Sequence, residues 1–389
     1  MSAHREELIE TIQSPPPEVL HEQELSFLAA YDAGSRPPGW KLTPKAAVIF
    51  IVGTKGEELK LPKGARADAG VPKALAIAEK FVGDRALVER AVVTLAGERG
   101  LLLVGEPGTA KSMLSELLAA AICGTSALTV QGTAGTTEDQ LRYGWNYALL
   151  LAKGPQPEAL VPSPVLTAMQ TGAIARVEEV TRCLPEVQDA LVSILSDRRL
   201  SVPELGDSGV QHARKGFNVI ATANLRDKGV SEMSAALKRR FNFETVHPIT
   251  DIREEMALVQ RETDKLLARA GVPTTLTPDM TEVLVVAFHE LRHAKEEGGK
   301  ALEPLTTAMS TAEAIATGFT AGLHAYFYGG GPASVRHLAQ HLAGTALKDS
   351  PDDIKRLRHY FNHVVKGKKG VLWQALYEAR DELPEGKPG

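Results

Sequence analysis

The stretch LLLVGEPGTAKS, Leu101 to Ser112, constrains this chain more than any other. LLLVG reads as a short buried strand and SMLSELLAAAI, which follows, carries helical spacing. Between them, Gly105, Glu106, Pro107, Gly108, Thr109, Ala110, Lys111 and Ser112 follow the template G-x-x-x-x-G-K-[ST], with Ala110 in place of the second glycine. A loop of this kind, ending at a helix N-terminus, turns the backbone N–H groups between Pro107 and Lys111 inward, where they meet phosphate oxygens. Lys111 then supplies positive charge to the β- and γ-phosphates, and the Ser112 hydroxyl reaches Mg²⁺. The methyl group at position 110 fits this reading if the residue keeps a negative φ, as it can at a helix start.

A strand feeding such a loop needs a sheet around it. SALTV at 126–130, AIARV at 173–177 and FNVIATAN at 217–224 are further short apolar strands, each separated by long helical stretches. That alternation predicts an α/β fold, a parallel sheet between helices. Upstream, SPPPEV and SRPPGW break the chain into short elements. AAVIFIVG, Ala46 to Gly53, is a compact apolar run, and KGEELKLPKGARADAG reads as a loop. KALAIAEKF and RALVERAVVTLAGERG both carry helical spacing. From about Asp251 the strand signal stops: REEMALVQRETDKLLARAG, MTEVLVVAFHELRHAKEE and SVRHLAQHLAGTAL are helical by pattern. The predicted organisation is an N-terminal extension at 1–75, an αβα core at 76–250, an all-α domain at 251–350 and a helical tail at 351–389.

The 389 residues leave room for two or three domains. With 43% hydrophobic and 24% charged residues and a net charge of -4, nothing calls for nucleic acid as a main partner. Two cysteines, Cys123 and Cys183, argue against a disulfide framework or a cysteine zinc site. The N-terminal MSAHREELIE lacks the apolar core of a signal peptide, and no apolar run approaches the roughly 20 residues of a membrane span. The expectation is a reduced, cytoplasmic protein.

A phosphate-loop enzyme needs carboxylates at the end of a neighbouring strand, one for the metal and one for the attacking water. AIARV ends in the adjacent pair Glu178 and Glu179, which fits both needs. Two features are unusual: the metal position generally carries Asp, one methylene shorter than Glu178, and Arg176 intrudes in a run that should be buried. FNVIATAN ends in Asn224, an amide able to orient the water. Arg239 and Arg240, just before Phe241, offer guanidinium groups that stabilise a transferring phosphate when given from a neighbouring subunit. A different chemistry is also present as a pattern. HELRH, His289 to His293, matches H-E-x-x-H, in which two histidines four apart bind zinc and Glu290 acts as base. Glu313 is a distant third ligand in that alternative, Arg292 opposes it, and His337 and His341 read as helix-surface residues.

In sum these motifs resemble the AAA+ ATPases, and more narrowly their MoxR-type branch. VGEPGTAKS is similar to that group's Walker A, which commonly ends in A-K-[ST], and VEEVTRCLPEVQDALVSIL to its Walker B stretch. The resemblance implies an AAA+ core with an all-α lid, ATP and Mg²⁺ as cofactors, Glu178 at the metal position and Glu179 as the water-activating residue. It implies Asn224 as sensor 1, Arg240 as the arginine finger with Arg239 in reserve, Arg336 in PASVRHL as sensor 2, and Val82 and Gly83 beside the adenine. It covers about 76 to 350. It further implies a homo-oligomeric ring, usually a hexamer, that remodels or activates a client or adaptor protein, such as one with a von Willebrand A-type domain. QGTAGTTEDQLRYGWNYALL, with Trp145 and Tyr147, and SVPELGDSGVQHARKG are candidate inserted hairpins facing that partner. The alternative outside catalysis is a nucleotide-binding assembly scaffold with weak hydrolysis.

Overall fold

The computed structural model describes residues 11–64, 70–224, 231–295, 301–306, 309–329, 331–348, 350 and 352–384. The N-terminal decapeptide read above lies outside these, as do parts of the loop before residue 70 and of the segment after His293. The chain divides into two compact units, one of residues 1–106 and 110–247, the other of 107–109 and 248–389.

The first unit is organised by a five-stranded parallel sheet, numbered here along the chain: β1 Gly100–Gly105, β2 Thr129–Gln131, β3 Ile174–Glu178, β4 Asn218–Ala223 and β5 Phe241–Val246. Their spatial order is β5-β1-β4-β3-β2. Side chains alternate across the sheet. Leu101, Leu103, Ile174 and Ile220 enter one core, built with the helices Pro44–Val52, Arg85–Ala96 and Lys111–Cys123. Leu102, Val104, Ala175, Val177, Val219 and Ala221 enter a second core on the opposite face, with Pro164–Thr171 and Pro185–Asp197. Both faces are covered, so the strands read as continuous apolar runs. The N-terminal residues Phe27, Leu28 and Trp40 lie in the first of these cores.

Two readings of local structure change, and two segments without an assigned element gain one. Pro44–Val52 is a helix, buried from Ala46 onward, with Pro44 at its first position and Thr43 capping Ala46 N at 3.1 Å. An apolar run this short fits a buried helix as well as a strand, and the Thr-Pro start decides it. KALAIAEKF is not helical: Ala74–Ala76 pairs antiparallel with Glu58–Lys60, inside the segment read as loop, and Lys80 N and Phe81 N both donate to Ile51 O. Nine residues of pattern are too few to nucleate a helix against these long-range backbone bonds. The strand β5 had no reading, because FNFETV at the sheet edge exposes Phe243 and carries Glu244. By contrast each of the two segments read as a hairpin takes part in one, over wider bounds than expected. Tyr143–Trp145 pairs with Leu160–Pro162 across a helix at Tyr147–Lys153, and Arg199–Ser201 pairs with Val210–His212.

In the second unit the helices Ile252–Arg269, Pro278–His293, Thr311–His324, Val335–Ala346, Asp352–His363 and Val371–Glu378 share one core around Phe288, Tyr360 and Phe361. Asp251 caps the first of them, accepting from Arg253 N at 2.8 Å, and Ser310 with Glu313 forms a reciprocal cap on the third.

Candidate functional site

In a parallel sheet all strands end at one edge, where ligands are bound in open α/β folds. Here β1 ends in Gly105, β3 in Glu178 and β4 runs into Asn224, so the phosphate loop, the glutamate pair and the amide meet at that edge.

Lys111 opens a 13-residue helix and is buried, with its ammonium donating to Gly105 O at 3.1 Å and Glu106 O at 2.8 Å. Ala110 corrects the expectation of a negative φ: it is left-handed, with φ 63° and ψ 26°. A methyl group in that region costs about 1 kcal/mol, which is the physical reason the template places glycine there. Gly108 is also left-handed, at φ 74°. The loop therefore takes two left-handed residues to bring the first-turn N–H groups of the helix round to one side.

Ser112 donates to Glu178 Oε2 at 2.7 Å, so the two residues expected at the metal are in direct contact. A hydroxyl beside a carboxylate is an all-oxygen set, which suits a hard cation such as Mg²⁺. Glu178 is 5% exposed and both of its oxygens are occupied. Oε2 also accepts from Thr222 at 2.7 Å, and Oε1 accepts from Ser115 at 2.5 Å and from Arg176 Nη2 at 2.8 Å. Burial works against its charge, but the bonds from Ser115, the Arg176 guanidinium, Ser112 and Thr222 prevail and hold the carboxyl below the usual carboxylate range. Arg176 does not disturb the buried strand. It shares the face of β3 that carries Ile174 and Glu178, covered by the phosphate-loop helix. Ser115 and Thr222 were not read from the sequence. Ser115 lies one turn beyond Ser112 on the same helix face, and Thr222 follows Ile220 on the same strand face, so spacing could have found both.

Glu179 stands apart from this cluster. It is left-handed at φ 53° and ψ 44°, and its N–H donates to Thr222 Oγ1 at 2.9 Å. The reversal of backbone direction separates two consecutive carboxylates, one buried against the helix and the other half-buried. Asn224 Nδ2 donates to Glu179 Oε1 at 3.1 Å and Oε2 at 3.3 Å, and Arg182 Nε lies 3.6 Å from Oε2. The turn requires Gly132 on β2's exit: a Cβ there would stand 2.4 Å from Glu179 O.

Of the remaining residues, Val82 and Gly83 lie in the coil before Arg85–Ala96. Arg239 is exposed at the end of the short helix Ala235–Lys238, while Arg240 is half-buried and donates from Nε to Ser196 Oγ at 2.5 Å. Arg336, in the second unit, donates from Nε to Glu382 Oε1 at 2.6 Å. Trp145 is half-buried and meets Tyr143 edge-on, with ring centroids 6.0 Å apart, whereas Tyr147 is 70% exposed. The two inserted hairpins touch: Tyr143 OH donates to Glu204 Oε2 at 2.9 Å and Arg142 Nη2 to Ser201 O at 2.9 Å.

The zinc pattern does not assemble. The His289 and His293 rings lie 4.4 Å apart at a tilted 59°, His289 half-buried and His293 exposed, but Glu290 points into the core, where Tyr360 OH donates to it at 2.7 Å and Lys368 Nζ pairs with it at 2.9 Å. Arg292 bonds the buried Glu255 at 2.6 Å, and Glu313 caps its own helix. No group of three or more His, Cys, Asp or Glu side chains suited to a metal occurs among the described residues, and no helix among them is long and apolar enough to cross a membrane.

Residues 100–241 match the AAA domain of the dynein-related subfamily, and residues 253–384 match the YehL-like AAA+ ATPase C-terminal domain. The fold and site define an AAA+ ATPase. The uncharacterized protein YehL of Escherichia coli is 48% identical over 374 residues, which is 96% of this chain and 98% of the relative, and the chain belongs to that YehL-like family. An uncharacterized protein of Staphylococcus haemolyticus is 33% identical over 144 residues, covering 37% of this chain and 53% of its own. Among solved structures, NtrX from Brucella abortus in complex with ADP aligns with a TM-score of 0.48 and 13% identity, over 77% of this chain and 64% of its own.

Proposed function

We propose that this chain is a Mg²⁺-dependent ATP phosphohydrolase of the MoxR type that couples turnover to remodelling or activating a protein partner. The observation that carries the reading is the separation of Glu178 from Glu179 at the strand edge beside the phosphate loop. One carboxylate is tied to Ser112, and the other is free of that cluster and held by Asn224. Bound Mg²⁺ would neutralise charge on the β- and γ-phosphates, with Ser112 and Glu178 on its side of the site. Residues Gly105 to Ser112 wrap the phosphates, Lys111 supplies the positive charge, and Val82 and Gly83 border the adenine. Glu179 takes the proton of the attacking water, and Asn224 fixes the carboxylate that does so. Arg240, with Arg239 in reserve, acts from a neighbouring subunit of a homo-oligomeric ring of six, and Arg336 acts from the lid.

The partner surface in this reading is the first inserted hairpin, where Tyr147, Leu151 and Val161 are exposed at 70%, 88% and 49%. Exposed apolar groups of this size on one insertion mark an interaction site. The client is a protein, such as one with a von Willebrand A-type domain, and the setting is the cytoplasm. One observation favours the scaffold alternative: Glu178 has all its oxygens engaged by protein donors, which suits slow turnover. Steady-state phosphate release from the wild-type protein separates the two. Turnover that requires Mg²⁺ and disappears in Glu179→Gln supports the ATPase; tight ATP binding without release supports the scaffold.

A further inference from the structure

We propose that Arg176 is a positioning residue, and that it and the extra methylene of Glu178 form one device which sets the carboxylate beside the phosphate-loop serine. The inference rests on the reading that Ser112 and Glu178 face the metal of a bound nucleotide.

Arg176 is 4% exposed on the middle of a sheet strand, where a charge has no place unless it is paired. Each nitrogen of its guanidinium has a partner. Nη2 donates to Glu178 Oε1 at 2.8 Å and lies 3.3 Å from Glu116 Oε1 and 3.4 Å from Ser112 O. Nε donates to Ser115 Oγ at 2.9 Å and Nη1 to Ser126 O at 2.9 Å. Three of these partners, Ser112, Ser115 and Glu116, lie on the phosphate-loop helix, and Glu178 is two residues along the same strand. The guanidinium therefore braces the helix that presents Ser112 against the strand that presents the carboxylate.

The glutamate length follows from this. Its carboxylate spans two donor pairs, Ser115 with Arg176 at one oxygen and Ser112 with Thr222 at the other. Aspartate, the residue usual at this position, would draw the carboxylate back by about one carbon–carbon bond, roughly 1.5 Å. It could not then meet both pairs, and Arg176 would lose its one buried counter-charge, since Glu116 is 43% exposed. The two departures from the common motif thus compensate each other: the longer acid exists because the arginine does. The arginine fork is specific to this task, since a lysine ammonium cannot reach Ser115, Ser126 and Glu178 from one position.

The test is a double-mutant cycle on the full-length protein, with Glu178→Asp, Arg176→Leu and the pair together. Two readouts are taken: the melting temperature without nucleotide, and the Mg²⁺ concentration that half-saturates binding of a fluorescent ATP analogue. Each single variant should melt below wild type and need about tenfold more Mg²⁺, as loss of an outer-shell partner generally does. The double variant should regain most of both, and Arg176→Lys should fall between wild type and Arg176→Leu. Single variants that fail to fold while the double folds also support the device. Additive losses, a double variant that does not fold, or a Glu178→Asp protein equal to wild type would overturn it. If wild type binds no analogue at any Mg²⁺, the nucleotide reading has failed; the melting temperatures still decide whether the two residues act as a pair.

Discussion

Asn224 holds both carboxylate oxygens of Glu179, at 3.1 and 3.3 Å, across the ends of two adjacent strands. Glu179 reaches this amide because its own backbone is left-handed, which turns it away from the Glu178 cluster. In the proposed mechanism Glu179 is the general base, held by Asn224 and ion-paired with Arg182, whose Nε lies 3.6 Å from Oε2. Glu179→Gln is therefore expected to bind ATP as wild type does and to lose hydrolysis by about 10²-fold or more, the usual scale for a positioned general base. Asn224→Ala should lower turnover with little change in ATP affinity. Phosphate release and equilibrium nucleotide binding, measured side by side, check both; hydrolysis unchanged in Glu179→Gln would remove it from the mechanism.

Ala110 offers a second prediction, on stability. Its φ of 63° disfavours any Cβ, so Ala110→Gly should relieve about 1 kcal/mol of strain, offset in part by added freedom of the unfolded chain. The expected result is a melting temperature equal to or slightly above wild type with nucleotide binding kept. Ala110→Val, β-branched in the same conformation, should lose stability and binding together. Equal melting of the valine variant would show that the loop does not hold this conformation.

The H-E-x-x-H segment should behave as structure. Tyr360→Phe leaves Glu290 with one fewer donor in the core and is expected to destabilise by about 1–3 kcal/mol. His289→Ala, at a half-buried position, should lower the melting temperature only modestly and leave phosphate release unchanged. Metal analysis of the purified protein gives the opposing outcome: stoichiometric zinc that disappears in His289→Ala would restore the metal reading.

Acidification should weaken the second unit through its histidine cluster. His324 Nδ1 lies 3.0 Å from His341 Nε2, and the His324 and His337 rings are 5.2 Å apart. Burial first, and the neighbouring His324 second, push His337 and His341 below the ordinary 6.5. The unfolded chain therefore takes up protons before the folded one does. The stability is complete above about pH 6.5 and falls as pH drops through the lowered folded values. His341→Gln should flatten the decline in melting temperature between pH 7 and pH 5; an identical slope in that variant would assign the loss to other groups.

How far the sequence reached is clearest residue by residue. Phosphate-loop spacing, the strand before it and the helix after it are local patterns, so Gly105 to Ser112 were legible, and with them the parallel sheet and the helical second half. Glu178 and Glu179 were legible as a pair because adjacency is itself a sequence property. The strand at Ala74–Ala76 was misread as helical, and the helix Pro44–Val52 was legible only as an apolar run, because short apolar runs carry no period long enough to separate the two states. The edge strand β5 was missed because it has no unbroken apolar run: Phe243 and Thr245 are exposed, and Asn242 and Glu244 are polar and half-buried.

Tertiary structure decided what adjacency could not. Two neighbouring glutamates meet different partners here because one backbone reversal separates them, and those partners come from residues as far apart as Ser112 and Asn224. Arg176 looked like a fault in a buried strand until the fold brought Ser115, Ser126 and Glu178 around it. Glu290, a base only in the zinc alternative, is a core residue on which Tyr360 and Lys368 close. Periodicity and motif spacing are properties of a few consecutive residues, and they settle elements and their order. Charge pairing and burial depend on which distant segments pack together, and only the folded chain contains that information.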